Sequence, residues 1–396
     1  MIVQPKFRGF ICTTAHPVGC GAHVKRQIDY IKERKPLSEL GNVLVIGAST
    51  GYGLASRIAA AFGANASTIG VFYDRPAAEN RTATAGWYNT AAFEQEAHRN
   101  GLYAKSINGD AFSTAVKQQV IELIKADWKT VDMVIYSIAS PRRTDPVDNQ
   151  TYNSVLKPFG KPFHGKTVDF HTGEVSLTTI EPASEAEVTA TVKVMGGEDW
   201  QLWMEALLEN DVLGENCTTL AYSYIGPEIT YPVYRDGTIG RAKEHLEATA
   251  HELNRMLAKI NGKAYVSVNK AVVTQASAAI PVVPLYCSIL FKVMREKGIH
   301  EGCIEQIYRL FGEKLVDGKV ATDQEGRIRL DDWELRQDVQ DQVLQLWHKV
   351  DRGNINALAD LQGFRTEFFR LFGFEFPEVD YSEDVDVDVQ IPSIRV

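Results

Sequence analysis

Cysteine is scarce in this chain, with five in 396 residues: Cys12, Cys20, Cys217, Cys287 and Cys303. The set is odd and has no paired metal-ligand spacing. It fits buried thiols in a reducing compartment better than a disulfide scaffold. Basic charge is also short, with 42 Lys plus Arg against 51 Asp plus Glu and a formal net charge of −9. A phosphate-backbone partner would meet that field, so no nucleic-acid partner is expected. Long apolar runs are missing. The most lipid-like stretch, AAIPVVPLYCSILF at 278–291, is too short to span a bilayer and contains Pro281 and Pro284. The start, MIVQPKFRGFICTTAHP, lacks the basic region and continuous apolar stretch of a secretion signal. No membrane partner is expected, and cytoplasm is the expected compartment. There is no HExxH, and the nine histidines make no local metal pattern. His245 and His251, six positions apart on one helix, are separated by roughly 600° and share no face. No metal is expected.

What is present suffices for a large core. Apolar residues make up 44% of the chain and aromatic ones 10%, and at this length about three quarters of the unfolded surface is buried on folding. After an N-terminal extension (1–40) with a charged helix at 24–35, NVLVIG at 42–47 has the nearly continuous apolar pattern of a strand covered on both faces. STIGVFYD (67–74), LYAKSING (102–109), VDMVIYSIAS (131–140), CTTLAYSY (217–224) and AYVSVNKAVV (264–273) repeat that pattern between helical segments. The alternation predicts an α/β fold, a doubly wound, mainly parallel Rossmann-like sheet with helices on both faces. The interval 141–198 breaks the rhythm and carries a predicted hairpin at 166–180 around Gly173, a lid or side lobe in one reading and an edge extension in the other. Residues 300–396 read as additional helices on the main body. No linker forces a second domain, so 1–396 is expected to be a single enlarged catalytic domain.

Gly47, Gly51 and Gly53 form a GxxxGxG turn between the first strand and the helix LASRIAAAF. In that context glycines let backbone approach a pyrophosphate while helix N–H groups point at the same anion. A merely tight connection is the alternative. The Lys-Ser/Thr ending of a triphosphate loop is absent. Asp74 closes the next strand, where a carboxylate can accept both adenine-ribose hydroxyls and disfavour the extra phosphate of NADPH. NADH is therefore the expected cofactor, although Arg75 beside it is suited to that phosphate. Asp110 is a candidate adenine contact or an ordinary loop carboxylate.

Tyr234 and Lys243 pair a phenol, suited to a developing oxyanion, with a cation suited to cofactor hydroxyls. Nine positions on one helix amount to roughly 900° and would set them on opposite faces. They cooperate only if the helix begins after Tyr234, and Asp236-Gly237-Thr238 offers a turn and N-cap just there. Tyr224, ending its strand, is a second phenol for the same crevice.

SYIGPEITYPVYRDGTIGRAKEHLEA at 223–248 resembles the active-site segment of the FabV-type trans-2-enoyl-ACP/CoA reductases, enlarged relatives of the short-chain dehydrogenase/reductase superfamily. GASTGYGLASRIAAAFG, YSIASPRRTDP (136–146), SVLKPFGKPFHGKTVD (154–169), ATVKVMGGEDW (190–200), VNKAVVTQASAAIPVVPLY (268–286) and HEGCIEQIYRLF (300–311) extend the resemblance over essentially the whole chain. It implies NADH-dependent reduction of an enoyl thioester carried on CoA or acyl carrier protein, with Tyr234, Lys243 and Tyr224 as catalytic residues and Tyr224 also touching substrate. Implied cofactor contacts are Gly47, Ser49, Thr50, Gly51, Tyr52, Gly53, Phe72, Tyr73, Asp74, Asp110, Ala111, Ser137, Ile138, Ala139, Ser140, Lys243, Val272, Val273, Thr274 and Gln275. It also implies a monomer. The rivals are a short-chain alcohol dehydrogenase or ketoreductase and a catalytically silent NADH-binding sensor. The 274–286 segment either covers the acyl chain or is a kinked core helix.

Overall fold

The computed structural model describes residues 1–8, 11–278, 280–316 and 320–394. Ala279 within the 274–286 segment, and residues 317–319, 395 and 396 within the 300–396 region, lie outside the described residues.

Seven parallel strands form the main sheet. Across it they run Ile328–Arg329, Lys263–Val268, Leu213–Ser223, Val131–Tyr136, Asn42–Ile46, Ser67–Phe72 and Ala104–Asn108. The first of them in the chain, Asn42–Ile46, lies inside the sheet, fifth in that order, and the chain winds outward from it in both directions, as a doubly wound sheet requires. Val43, Leu44, Val45 and Ile46 are fully buried because helices cover both faces. Their register sets Val45 between Gly70 and Ile135. Small residues of Gly51–Ile58 and its continuation, Ala55, Ala59 and Ala60, share one apolar cluster with Val43 and Val45, which brings helix and sheet into close contact. Helices Ala85–Arg99, Thr114–Asp127 and Thr238–Leu257 supply further crossovers.

The sequence anticipated six of these strands. The fourth stops at Tyr136 rather than running to 140, and the fifth begins at Leu213, four residues before Cys217. The seventh, Ile328–Arg329, is two residues long and carries no apolar periodicity. The hairpin is present as Phe163–Asp169 paired with Glu174–Ile180, turning through Gly173 at φ 79°. It leans on the C-terminal helices: Lys166 Nζ donates to the carbonyls of Trp347 and Val350, each at 2.9 Å. The chain beyond Arg370 is extended rather than helical and returns across Ala85–Arg99, where Trp87 Nε1 and Tyr88 Oη donate to the carbonyls of Val389 and Val387.

Candidate active site

The strand order reverses between Asn42–Ile46 and Val131–Tyr136, and the crevice at their carboxyl ends is where an open α/β sheet receives a ligand. The glycine turn sits there. A Cβ on Gly53 would lie 1.9 Å from the Gly47 carbonyl oxygen, and one on Gly47 would lie 2.2 Å from that of Ser137. Both glycines are dictated by backbone crossing backbone. Gly51 differs, since it has φ 53° and nothing within 4 Å of its Cβ position. The turn is thus closed behind and open in front, at the N-terminus of a helix that runs from Gly51 to Ile58.

Asp74 stands at one end of this crevice. The Thr84 hydroxyl donates to its Oδ1 at 2.6 Å, and Asn108 Oδ1 accepts its backbone N–H at 3.0 Å. Burial raises its pKa, against hydrogen bonds from Thr84 and Ser49. Gly86 is required beside it, because a Cβ there would come within 2.2 Å of Asp74 Oδ2. Thr84 and Gly86 did not emerge from the sequence, where they lie ten or more positions beyond Asp74 in an unpatterned loop.

The remaining predicted cofactor contacts occupy distinct surroundings. Phe72 is buried under the crevice, while Tyr73 is 78% exposed. Tyr52 turns its hydroxyl inward to the Lys270 carbonyl at 2.7 Å and Gln306 Oε1 at 3.0 Å. The Asp110 carboxylate accepts the Phe112 N–H, and the Ala111 carbonyl accepts Lys117 Nζ and Trp203 Nε1. Ser137 donates its N–H to the Ile46 carbonyl, directly at the crevice, and Ile138 and Ala139 follow it before Ser140 closes onto the Arg142 carbonyl. Val272 and Val273 lead into a reciprocal cap in which Thr274 and Ser277 exchange backbone-to-side-chain hydrogen bonds, each 2.9 Å, around Gln275.

The geometric condition on Tyr234 and Lys243 is met. Gly237 is the N-cap of helix Thr238–Leu257, and Tyr234 lies in the preceding turn. Thr238 fixes the helix start by donating its N–H to the Lys157 carbonyl and its hydroxyl to the Val155 carbonyl. Tyr224, Tyr234 and Lys243 then line one cleft of about 250 Å³, together with Arg327 and Arg329. The two phenols meet edge to face, centroids 5.0 Å apart at 89°. Lys243 Nζ donates to the Tyr222 carbonyl at 3.3 Å, which places the ammonium at the carboxyl end of the Leu213–Ser223 strand. That strand is two removed from Asn42–Ile46, about 10 Å at normal strand spacing.

Burial controls the electrostatics of this cleft. It depresses the Lys243 ammonium to about 8, with the Glu247 charge opposing. It raises both phenols, so each stays protonated well past neutrality. The hydroxyls nevertheless differ. Tyr224 Oη donates to Glu334 Oε1 at 3.0 Å, whereas that of Tyr234 has no hydrogen-bond partner among the described residues. Glu334, Tyr286 and the cleft arginines were not anticipated. No metal-holding group of His, Cys, Asp or Glu exists among the described residues.

Residues 81–316 match the family model described as the trans-2-enoyl-CoA reductase catalytic region, and residues 2–79 match that family's NAD(P)H binding domain. The trans-2-enoyl-CoA reductase [NADH] of Ruminiclostridium cellulolyticum is 61% identical over 394 residues, covering 100% of both chains. This chain belongs to the trans-2-enoyl-CoA reductase family. Within the family it is also 60% identical to the enoyl-[acyl-carrier-protein] reductase [NADH] of Cytophaga hutchinsonii, over 100% of both chains. The crystal structure of Treponema denticola trans-2-enoyl-CoA reductase in complex with NAD superposes with a TM-score of 0.94 at 53% identity, covering 97% of this chain and 98% of that one.

A third family model, described as an enoyl reductase FAD binding domain, matches residues 322–385. The residues there do not fit a flavin. Val339, Val343, Trp347, Phe364 and Phe368 are spent in the core that they share with helix Val283–Glu296. No described glycine of the segment opens a strand-to-helix turn: Gly363 lies within a helix against Asp360, and Gly373 closes onto the His16 carbonyl and Cys20.

Proposed function

We propose that this chain catalyses NADH-dependent reduction of the C2–C3 double bond of trans-2-enoyl thioesters, carried on CoA or acyl carrier protein, to saturated acyl thioesters, the final reduction of a fatty-acid elongation cycle. The observation that carries the reading is the Tyr234 hydroxyl, unpartnered among the described residues, in one cleft with a half-buried Lys243, at the carboxyl edge of a sheet whose glycine turn is open toward an anion. NADH bound at the turn supplies hydride to the β carbon. Gly47, Gly51 and Gly53 admit its diphosphate, and Asp74 takes the adenine-ribose hydroxyls. As charge reaches the thioester oxygen, Tyr234 Oη donates a hydrogen bond to it, stabilising the enolate. Lys243 Nζ binds nicotinamide-ribose hydroxyls and keeps the local field positive. A proton taken up from water at the α carbon, directly or through Tyr234, completes the product.

NADH oxidation with crotonyl-CoA, and none with acetoacetyl-CoA, is the expected assay result. Turnover of acetoacetyl-CoA alone would make the chain a ketoreductase, and tight NADH binding without turnover would make it a sensor. Asp74→Asn should raise the KM for NADH about fivefold to tenfold and lower that for NADPH, because it removes the charge that the 2′-phosphate would meet. Equal KM values for the variant and the parent would remove Asp74 from the ribose site.

The reading extends to one enlarged catalytic domain across 1–396 and to a monomer, which sedimentation in the presence of NADH would test. It also extends to a cytoplasmic location. All five cysteines are free, as in chains kept in a reducing compartment, and no described helix is long and apolar enough to cross a membrane.

A further inference from the structure

Glu334 lies in the charged stretch DDWELRQD, nothing in which marks it for function. The fold nevertheless draws it into the interior, where it is fully buried. Its Oε1 accepts the Tyr224 hydroxyl at 3.0 Å and the Tyr286 hydroxyl at 2.6 Å, and its Oε2 accepts the Ala271 backbone N–H at 2.7 Å. Three donors on two oxygens suit an ionised carboxylate. Burial pushes its pKa up, and the Lys270 charge opposes that shift. A buried carboxylate is a poor way to stabilise a fold, since apolar replacements of similar volume are often neutral or better. The position of this one is more telling. It joins a cleft tyrosine to the residue that opens the Val272–Gln275 segment.

We propose that Glu334 is a positioning residue for the reduction, acting through Tyr224. The carboxylate commits the Tyr224 hydroxyl to an inward hydrogen bond, which fixes the ring edge-on to Tyr234. The fixed ring in turn restricts where the Tyr234 hydroxyl points in the cleft. Tyr224 therefore serves as a wall and guide for Tyr234 rather than as a second donor to the thioester. The proposal rests on the enoyl-reductase reading.

A double-mutant cycle on the full chain tests it, with NADH and crotonyl-CoA as the probes. Wild-type turnover comes first, and its absence would sink the enoyl-reductase reading itself. Given turnover, Glu334→Gln should lower kcat about tenfold with the KM for NADH changed less than about twofold, and the same substitution in a Tyr224→Phe background should change kcat by less than about twofold. Should the glutamine variant not accumulate as folded protein, Glu334→Asp keeps the charge but withdraws it by one methylene, and the same cycle applies. A single-variant kcat within about twofold of wild type overturns the proposal. So does a loss that persists in the Tyr224→Phe background, since a general packing defect would multiply there.

Discussion

Replacing Tyr234 with phenylalanine should lower kcat by roughly 10²- to 10³-fold, the cost of removing one donor to a developing oxyanion, while NADH affinity changes less than about threefold. The asymmetry follows from the site. The Tyr234 hydroxyl holds no hydrogen bond among the described residues, so its removal strands no buried partner there and leaves the edge-to-face packing on Tyr224 intact. What is lost is a donor engaged only once charge has reached the thioester oxygen, so the loss falls on kcat. Tyr224→Phe differs in kind, because it strands a buried lone pair on Glu334 and should lower the melting temperature as well. Stopped-flow NADH oxidation beside NADH-binding titration separates the two terms. A Tyr234→Phe enzyme that turns over within about fivefold of wild type would return the oxyanion role to another group.

The legibility of this molecule in its sequence follows the range of the interactions. The central strands are readable because helices cover both faces, which forces NVLVIG and its counterparts into apolar runs. The glycine turn is readable because each glycine answers a local demand, and a Cβ at Gly47 or Gly53 has no room. The Tyr234 and Lys243 pair is readable through one helix start, since only a break at Gly237 lets residues nine apart face one cleft. Long-range closures leave no such trace. The Ile328–Arg329 strand is too short for periodicity, and it is recruited by the exposed edge of Lys263–Val268. Glu334 is 110 residues from Tyr224 in the chain, and the two meet only in the folded chain, where helix Val283–Glu296 also brings Tyr286 to the same oxygen. The extended return after Arg370 is held at scattered long-range points, the Val387 and Val389 carbonyls under Tyr88 and Trp87 and the Ser393 hydroxyl on Glu94, which leave no helical or alternating pattern to read.

Replacing Lys243 with methionine should raise the KM for NADH about tenfold and lower kcat by roughly 10²-fold, and the pH profile of the wild-type enzyme should report this lysine. In the folded chain its ammonium is depressed by burial to about 8, from an ordinary 10.5. Below pH 8 both folded and unfolded chains hold the proton. Between pH 8 and 10.5 the unfolded chain binds more protons than the folded one, so this group makes stability rise with pH, by up to roughly 3 kcal/mol across the window. Activity moves the other way. Loss of the proton removes the positive charge that strengthens the hold on the nicotinamide ribose, so kcat/KM for NADH should fall above about pH 8. The raised phenol of Tyr234 cannot be the source of that limb, because it is still protonated there. Opposite slopes of stability and activity over one pH interval, both flattened in Lys243→Met, are thus expected of a half-buried, desolvated lysine that works as a cation. A methionine variant that keeps the alkaline fall in kcat/KM would assign it elsewhere.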